Sequence, residues 1–192
     1  MYNKSMEKLN YLIKQIKKYN PEALCVIVDD TSFKEPFLLV STNSIKQKIM
    51  LFDGNTDLEQ FAEISYSRPT KGMILATFEV DEEHQQQGFG RFLFNLACAQ
   101  ADILGCHHLA GTAHPTAPIK GISSEEHDIF EQEQQIIIDI YKKLGCTFAD
   151  DSTFFEQHWT NGDKIKNANP LTQELAYKIA ETYGVSPPNQ MQ

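Results

Sequence analysis

The residues with the clearest capacity for chemistry run Val80-Asp81-Glu82-Glu83-His84-Gln85-Gln86-Gln87-Gly88-Phe89-Gly90-Arg91. The apolar run Met73 to Phe78 precedes them, and a helix-like run from Phe92 to Leu104 follows. A polar turn between a strand and a helix presents unpaired backbone N–H groups at the positive helix end, which suits an anion. Gly88 and Gly90 remove the side chains that would hold a ligand away from that backbone. The expected ligand is a phosphate or pyrophosphate. A Walker loop would need Lys and then Ser or Thr after its last glycine, and Arg91-Phe92 stand there. A dinucleotide fingerprint needs a third glycine where Gln85 stands.

Farther on, Ile137, Ile140 with Tyr141, and Leu144 share a helical face that closes at Gly145, and strand-like Thr147-Phe148 follows at once. The two stretches resemble the motifs of one family, the GNAT-type N-acetyltransferase superfamily. Gln85-Gln86-Gln87-Gly88-Phe89-Gly90 is similar to its acetyl-CoA loop, Gln/Arg-x-x-Gly-x-Gly/Ala. Tyr141-Lys142-Lys143-Leu144-Gly145 is similar to its second motif, Tyr-x-Lys-Leu-Gly-Phe, with Cys146 replacing the aromatic. Gln134 stands seven residues before the tyrosine, where the family often has an Asn that touches the pantetheine arm. The motifs occur in order with a strand between them and cover about residues 72–148.

The resemblance implies an α/β (α+β) GNAT-like fold: a mixed, mostly antiparallel sheet, helices on both faces, and a splay between the fourth and fifth strands for the pantetheine arm. It implies acetyl-CoA as acyl donor, held by Phe78, Val80, the turn from Gln85, Gln86, Gln87, Gly88, Phe89 and Gly90 to Arg91, and Gln134 and Tyr141. The implied reaction is direct attack of a primary amine on the thioester, with no catalytic cysteine required. The alternative is a GNAT-like domain that binds CoA or a partner without turnover.

Acyl transfer to an amine needs a proton acceptor, a polarised carbonyl and a proton donor for the thiolate. By family position Tyr141 is the donor, against its reading as a core tyrosine. A backbone N–H at Val80 would polarise the carbonyl. Glu79, on the strand entering the turn, and His114, at the end of the next strand, are candidate bases, and a chain of waters is another.

Those residues need a scaffold. Met6, Leu9, Leu12, Ile13, Ile16 and Tyr19 recur at helical spacing before Asn20-Pro21, giving an amphipathic helix packed on its own sheet. Strand-like runs follow at 23–28, 37–41, 48–52, 61–66 and 72–80, separated by turn formers. After Gly88 the pattern becomes helix, strand, helix, strand. Cys106–His114 reads as a strand whose small residues Ala110 to Ala113 suit either a pantetheine arm or tight packing. Adjacent His107 and His108 point to opposite strand faces, so no metal is expected. Residues 115–135 read as a long polar connection, either a solvated insertion or an acidic rim facing the acceptor. A last strand at 153–159 precedes a helix capped by Asn169-Pro170.

The chain has 192 residues and a formal charge of −9, which suits one domain (acetyl-CoA-binding core 72–148, C-terminal helix and tail 165–192) and disfavours nucleic acid or an anionic membrane as partner. It fits a small-molecule or peptide amine acceptor, with the chain a monomer or homodimer. No apolar run approaches a membrane span. The start lacks a signal-peptide core, and four dispersed cysteines suit a reducing cytoplasm.

Overall fold

In a computed structural model, residues 2–43, 46–54, 60–114, 124–150 and 152–183 are described, with side chains from residue 4 onward in the first segment and from 129 onward in the fourth. The elements in order are α1 (Tyr2–Tyr19), β1 (Leu24–Val28), β2 (Phe37–Asn43), β3 (Gln47–Asp53), β4 (Gln60–Ser67) and β5 (Gly72–Val80). A 3-10 turn (Glu82–His84) leads to α2 (Phe89–Ile103), β6 (His108–Thr112), α3 (Ser124–Lys143), β7 (Thr147–Phe148), β8 (Phe154–His158), α4 (Asp163–Asn167) and α5 (Pro170–Thr182). The strands form one sheet in the order β1-β2-β3-β4-β5-β6-β8-β7. Every described pairing is antiparallel except that of β5 with β6.

Period-two alternation explains why the sheet carries helices on both faces. Leu38 and Val40 of β2 pack with Leu9 and Leu12 of α1. Their neighbours Phe37 and Leu39 pack on the other side, with Phe92, Leu93 and Leu96 of α2 and Leu175 and Ile179 of α5. Each fully buried Leu or Phe contributes about 1.5–3 kcal/mol, so these two layers supply most of the stabilisation. Asp102 of α2 is 3% exposed, and its carboxylate accepts from the backbone N–H groups of Gly162 (2.7 Å), Lys164 (2.8 Å) and Ile165 (3.1 Å). It ties α4 to α2. Asn169 caps α5 as expected, its side chain accepting from Thr172 N–H at 2.8 Å.

The sheet does part, but between the fifth and sixth strands and not the expected fourth and fifth. β5 and β6 pair only at Gly72, Met73 and Ile74, opposite His108, Leu109 and Ala110. From Leu75 to Val80 β5 runs on without β6. A bulge accompanies the separation: Ser65 faces Thr77 and Tyr66 faces Leu75, which leaves Ala76 as the extra residue. Such a bulge bends its strand and increases the local twist.

One expectation fails. Within the polar connection expected at 115–135, residues from Ser124 onward are already helix α3. Glu and Gln are strong helix formers, and they extend the helix of Ile136–Lys143 backwards without needing an apolar stripe. Residues 115–123 lie outside the described residues.

Candidate functional site

The polar turn is braced by its own side chains. Gln85 Nε2 donates to the Val80 carbonyl (3.0 Å), and Gln87 Nε2 donates to the Glu83 carbonyl (2.8 Å). Gln86 and Gly88 both have positive φ, 59° and 89°. Gly88 is the N-cap of α2 and offers no side-chain cap, and a Cβ there would meet nothing within 4 Å. By helix geometry the N–H groups of Phe89, Gly90 and Arg91 have no intrahelical acceptor. Their dipoles and the open ground over Gly88 form a cradle suited to an anion.

The side chains of this stretch diverge. Gln85, Gln86, Gln87 and Arg91 are exposed. Phe89 is 7% exposed and turns inward among Phe33, Phe37 and Phe61, with ring centroids at 5.0, 5.4 and 4.8 Å. Only its backbone faces outward. Gly90 lies beside the end of β5, where a Cβ would come 3.5 Å from Phe78 and 3.7 Å from Val80, ordinary contact distances.

Tyr141 of α3 enters the core at the splay. Its ring stacks on Phe155 of β8 (4.0 Å, 25°) and approaches Phe78 of β5 (6.0 Å) and Phe94 of α2 (6.4 Å). Burial, with Cys146 adding to it, pushes the phenol well above its ordinary value of 10.0. The hydroxyl therefore stays protonated through the neutral range and can donate. Cys98 is pushed up to about 12 and Cys146 to about 11, in both cases chiefly by burial. Both remain thiols.

The structure brings Gln134 and His114 together. Gln134 Nε2 lies 3.3 Å from the Ala113 carbonyl, to which it donates, and 3.5 Å from His114 Nδ1. This joins α3 to the end of β6. A cleft of about 640 Å³ opens beside Gln134, lined by Ile138 and Lys142 of α3 and by Phe148, Asp150 and Thr153 across from them. Glu79 is exposed on β5, one residue from Phe78 and so on the opposite sheet face from the ring that Tyr141 approaches. Glu79 thus stands apart from Tyr141.

Phe155 was not singled out from the sequence. Its ring covers Gly111 so closely that a Cβ there would lie 2.5 Å away. The small residue at 111 thus serves packing rather than a ligand arm. A phenylalanine at alternate spacing in Phe154–His158 is the only sequence signal of this platform.

No family profile matches the chain, and no curated protein sequence does. Solved structures do. The chain is similar to a cAMP-binding acyltransferase from Mycobacterium smegmatis, with a TM-score of 0.56 at 12% identity over 92% of this chain and 62% of the other. A more distant likeness is to a PaiA N-acetyltransferase from Thermoplasma acidophilum in complex with coenzyme A, with a TM-score of 0.43 at 12% identity over 58% of this chain and 60% of that one. The chain spans about three-fifths of the length of the first of these proteins (62%). Among the described residues no helix is long and apolar enough to cross a membrane. At this identity the likeness is one of architecture: the chain shares the fold of that protein's matched region.

Proposed function

We propose that the protein is an N-acetyltransferase that moves the acetyl group of acetyl-CoA to a primary amine by direct attack. One observation carries the reading. β5 parts from β6 after Ile74, the anion cradle lies just beyond the end of the parted strand, and Tyr141 approaches it at Phe78. Where β5 and β6 part, an extended pantetheine arm would enter between them. Its pyrophosphate would lie over Gln85–Arg91, with the thioester beside Phe78 and Tyr141. Gln134 is available beside the arm.

Acyl transfer then balances simply. The amine lone pair forms the N–C bond, the C–S bond breaks, and the amine proton passes to a base. Tyr141 returns a proton to the CoA thiolate. His114, exposed beside Gln134, is the candidate base, with Glu79, exposed on the opposite face of β5 from Phe78, as the alternative. The net charge of −9 favours a cationic acceptor, with Glu131 and Glu133 of α3 among the carboxylates that set that field. Free cysteines among the described residues fit a reducing compartment such as the cytoplasm.

A panel of amines incubated with acetyl-CoA, read by release of free thiol, tests the proposal. Thiol release that depends on an amine is the expected result. Acetyl-CoA binding without release for any amine would favour a binding domain, and absence of binding would end the reading.

A further inference from the structure

We propose that His84 and Asp53 act as a positioning pair that sets the shape of the phosphate turn and, through it, the affinity for acetyl-CoA. This role rests on the acetyltransferase reading above.

His84 immediately precedes Gln85, at the end of the 3-10 turn. Its Nε2 lies 3.2 Å from Oδ2 of Asp53, the last residue of β3, and both side chains are 17% exposed. The imidazole also stacks on Phe61 of β4 at 4.1 Å and 19°. Phe61 in turn touches Phe89, so both ends of the turn are anchored to one aromatic cluster. His84 holds the entry and Phe89 holds the exit. The four residues between them, Gln85 to Gly88, are all exposed, and two have left-handed backbones.

What lies beneath that span is not packed solid. A cavity of about 120 Å³ sits on its β3–β4 side, lined by His84, Gln87, Phe89, Phe61, Asp53 and Lys34. A turn over a cavity cannot rely on side-chain packing to hold its height. Asp53 and His84 both line that cavity, and their contact tethers the turn where packing is incomplete. Hydrogen bonds weaken steeply as their angles depart from linear, so a small sag of the turn would misdirect the N–H groups from a bound phosphate. His84 Nδ1 is buried with no partner among the described residues, which leaves Asp53 as the only polar tether of the ring.

The test is acetyl-CoA calorimetry on the full chain, with unfolding temperatures measured without ligand. His84→Ala and Asp53→Ala are each expected to raise the Kd about tenfold or more in a folded protein. The double variant should bind no more weakly than the weaker single variant, because the two side chains act as one unit. His84→Gln keeps an N–H donor within reach of Asp53 and should recover most of the affinity, which a merely structural filler would not do. Should His84→Ala fail to fold, His84→Leu keeps apolar bulk on Phe61, removes the tether, and is expected to show the same loss. Folded variants with wild-type affinity would overturn the role while leaving the acetyltransferase reading intact. A wild-type protein that does not bind acetyl-CoA would overturn both.

Discussion

Tyr141 lies nearly flat on Phe155, with ring centroids 4.0 Å apart and planes 25° from parallel. Phe155 in turn rests on Gly111, its cross-strand partner on β6. The proposed proton donor is thus positioned by a ring that only a glycine can accommodate. Gly111→Ala should force Phe155 off its seat and destabilise the protein by about 1–3 kcal/mol. Thermal unfolding should show a loss of several degrees. Phe155→Leu in the same background should restore part of that loss.

Tyr141→Phe removes the hydroxyl and keeps the stack on Phe155. Acetyl-CoA affinity should hold, while turnover with a good acceptor should fall by roughly 10²–10⁴-fold. Because the phenol lies above its ordinary value of 10.0, the donor form persists through neutral pH. Any alkaline fall in rate below pH 10 therefore belongs to another group. A variant turning over at the wild-type rate would move the donor role away from Tyr141.

The buried thiols make a stability prediction. Cys98 rises from 9.0 to about 12 on folding, chiefly by burial. A raised folded value means that the unfolded chain loses its proton first, so stability is intact below pH 9 and declines as pH rises toward 12. The slope from this one group is about 1.4 kcal/mol per pH unit in that window. Unfolding temperatures between pH 7 and 10.5 should show the decline beginning near pH 9, and Cys98→Ala should flatten it. An unchanged slope in that variant would assign the decline to other groups.

How far the sequence could be read depended on whether a signal was local. The strands showed themselves through alternation and turn residues, and the glycine turn through its placement after an apolar run. That the sheet would part came from the family resemblance and not from spacing, and the place of the parting, after Ile74 between β5 and β6, appears only in the structure. The bulge at Ala76 leaves no mark in the sequence, since it depends on how β4 and β5 are registered. The first half of α3 was hidden because Glu and Gln form helices without an apolar stripe. Asp102 and His84 read as ordinary charged and polar residues, and their roles appear only once α4 and β3 are brought against them. Gln134 and His114 meet across 20 residues, a contact that no spacing rule anticipates.

Gln86 holds a left-handed backbone at φ 59°, a conformation that costs a residue with a Cβ roughly 1–2 kcal/mol. Gln86→Gly should raise the unfolding temperature by a few degrees. An unchanged or lowered unfolding temperature would mean that the side chain contributes contacts outweighing the backbone cost.

The central claim is that the CoA pyrophosphate sits over the turn from Gln85 to Arg91. Gly90→Glu tests it most directly. A Cβ at Gly90 meets only ordinary contacts, and a carboxylate in the first turn of a helix complements its dipole, so α2 should form as well as before. The same carboxylate would occupy the ground proposed for the phosphates and repel them. Calorimetry with acetyl-CoA should show measurable binding by the wild type and a loss of about 100-fold or more in a variant whose unfolding temperature is unchanged or higher. A folded Gly90→Glu protein that binds acetyl-CoA as the wild type does would contradict the account.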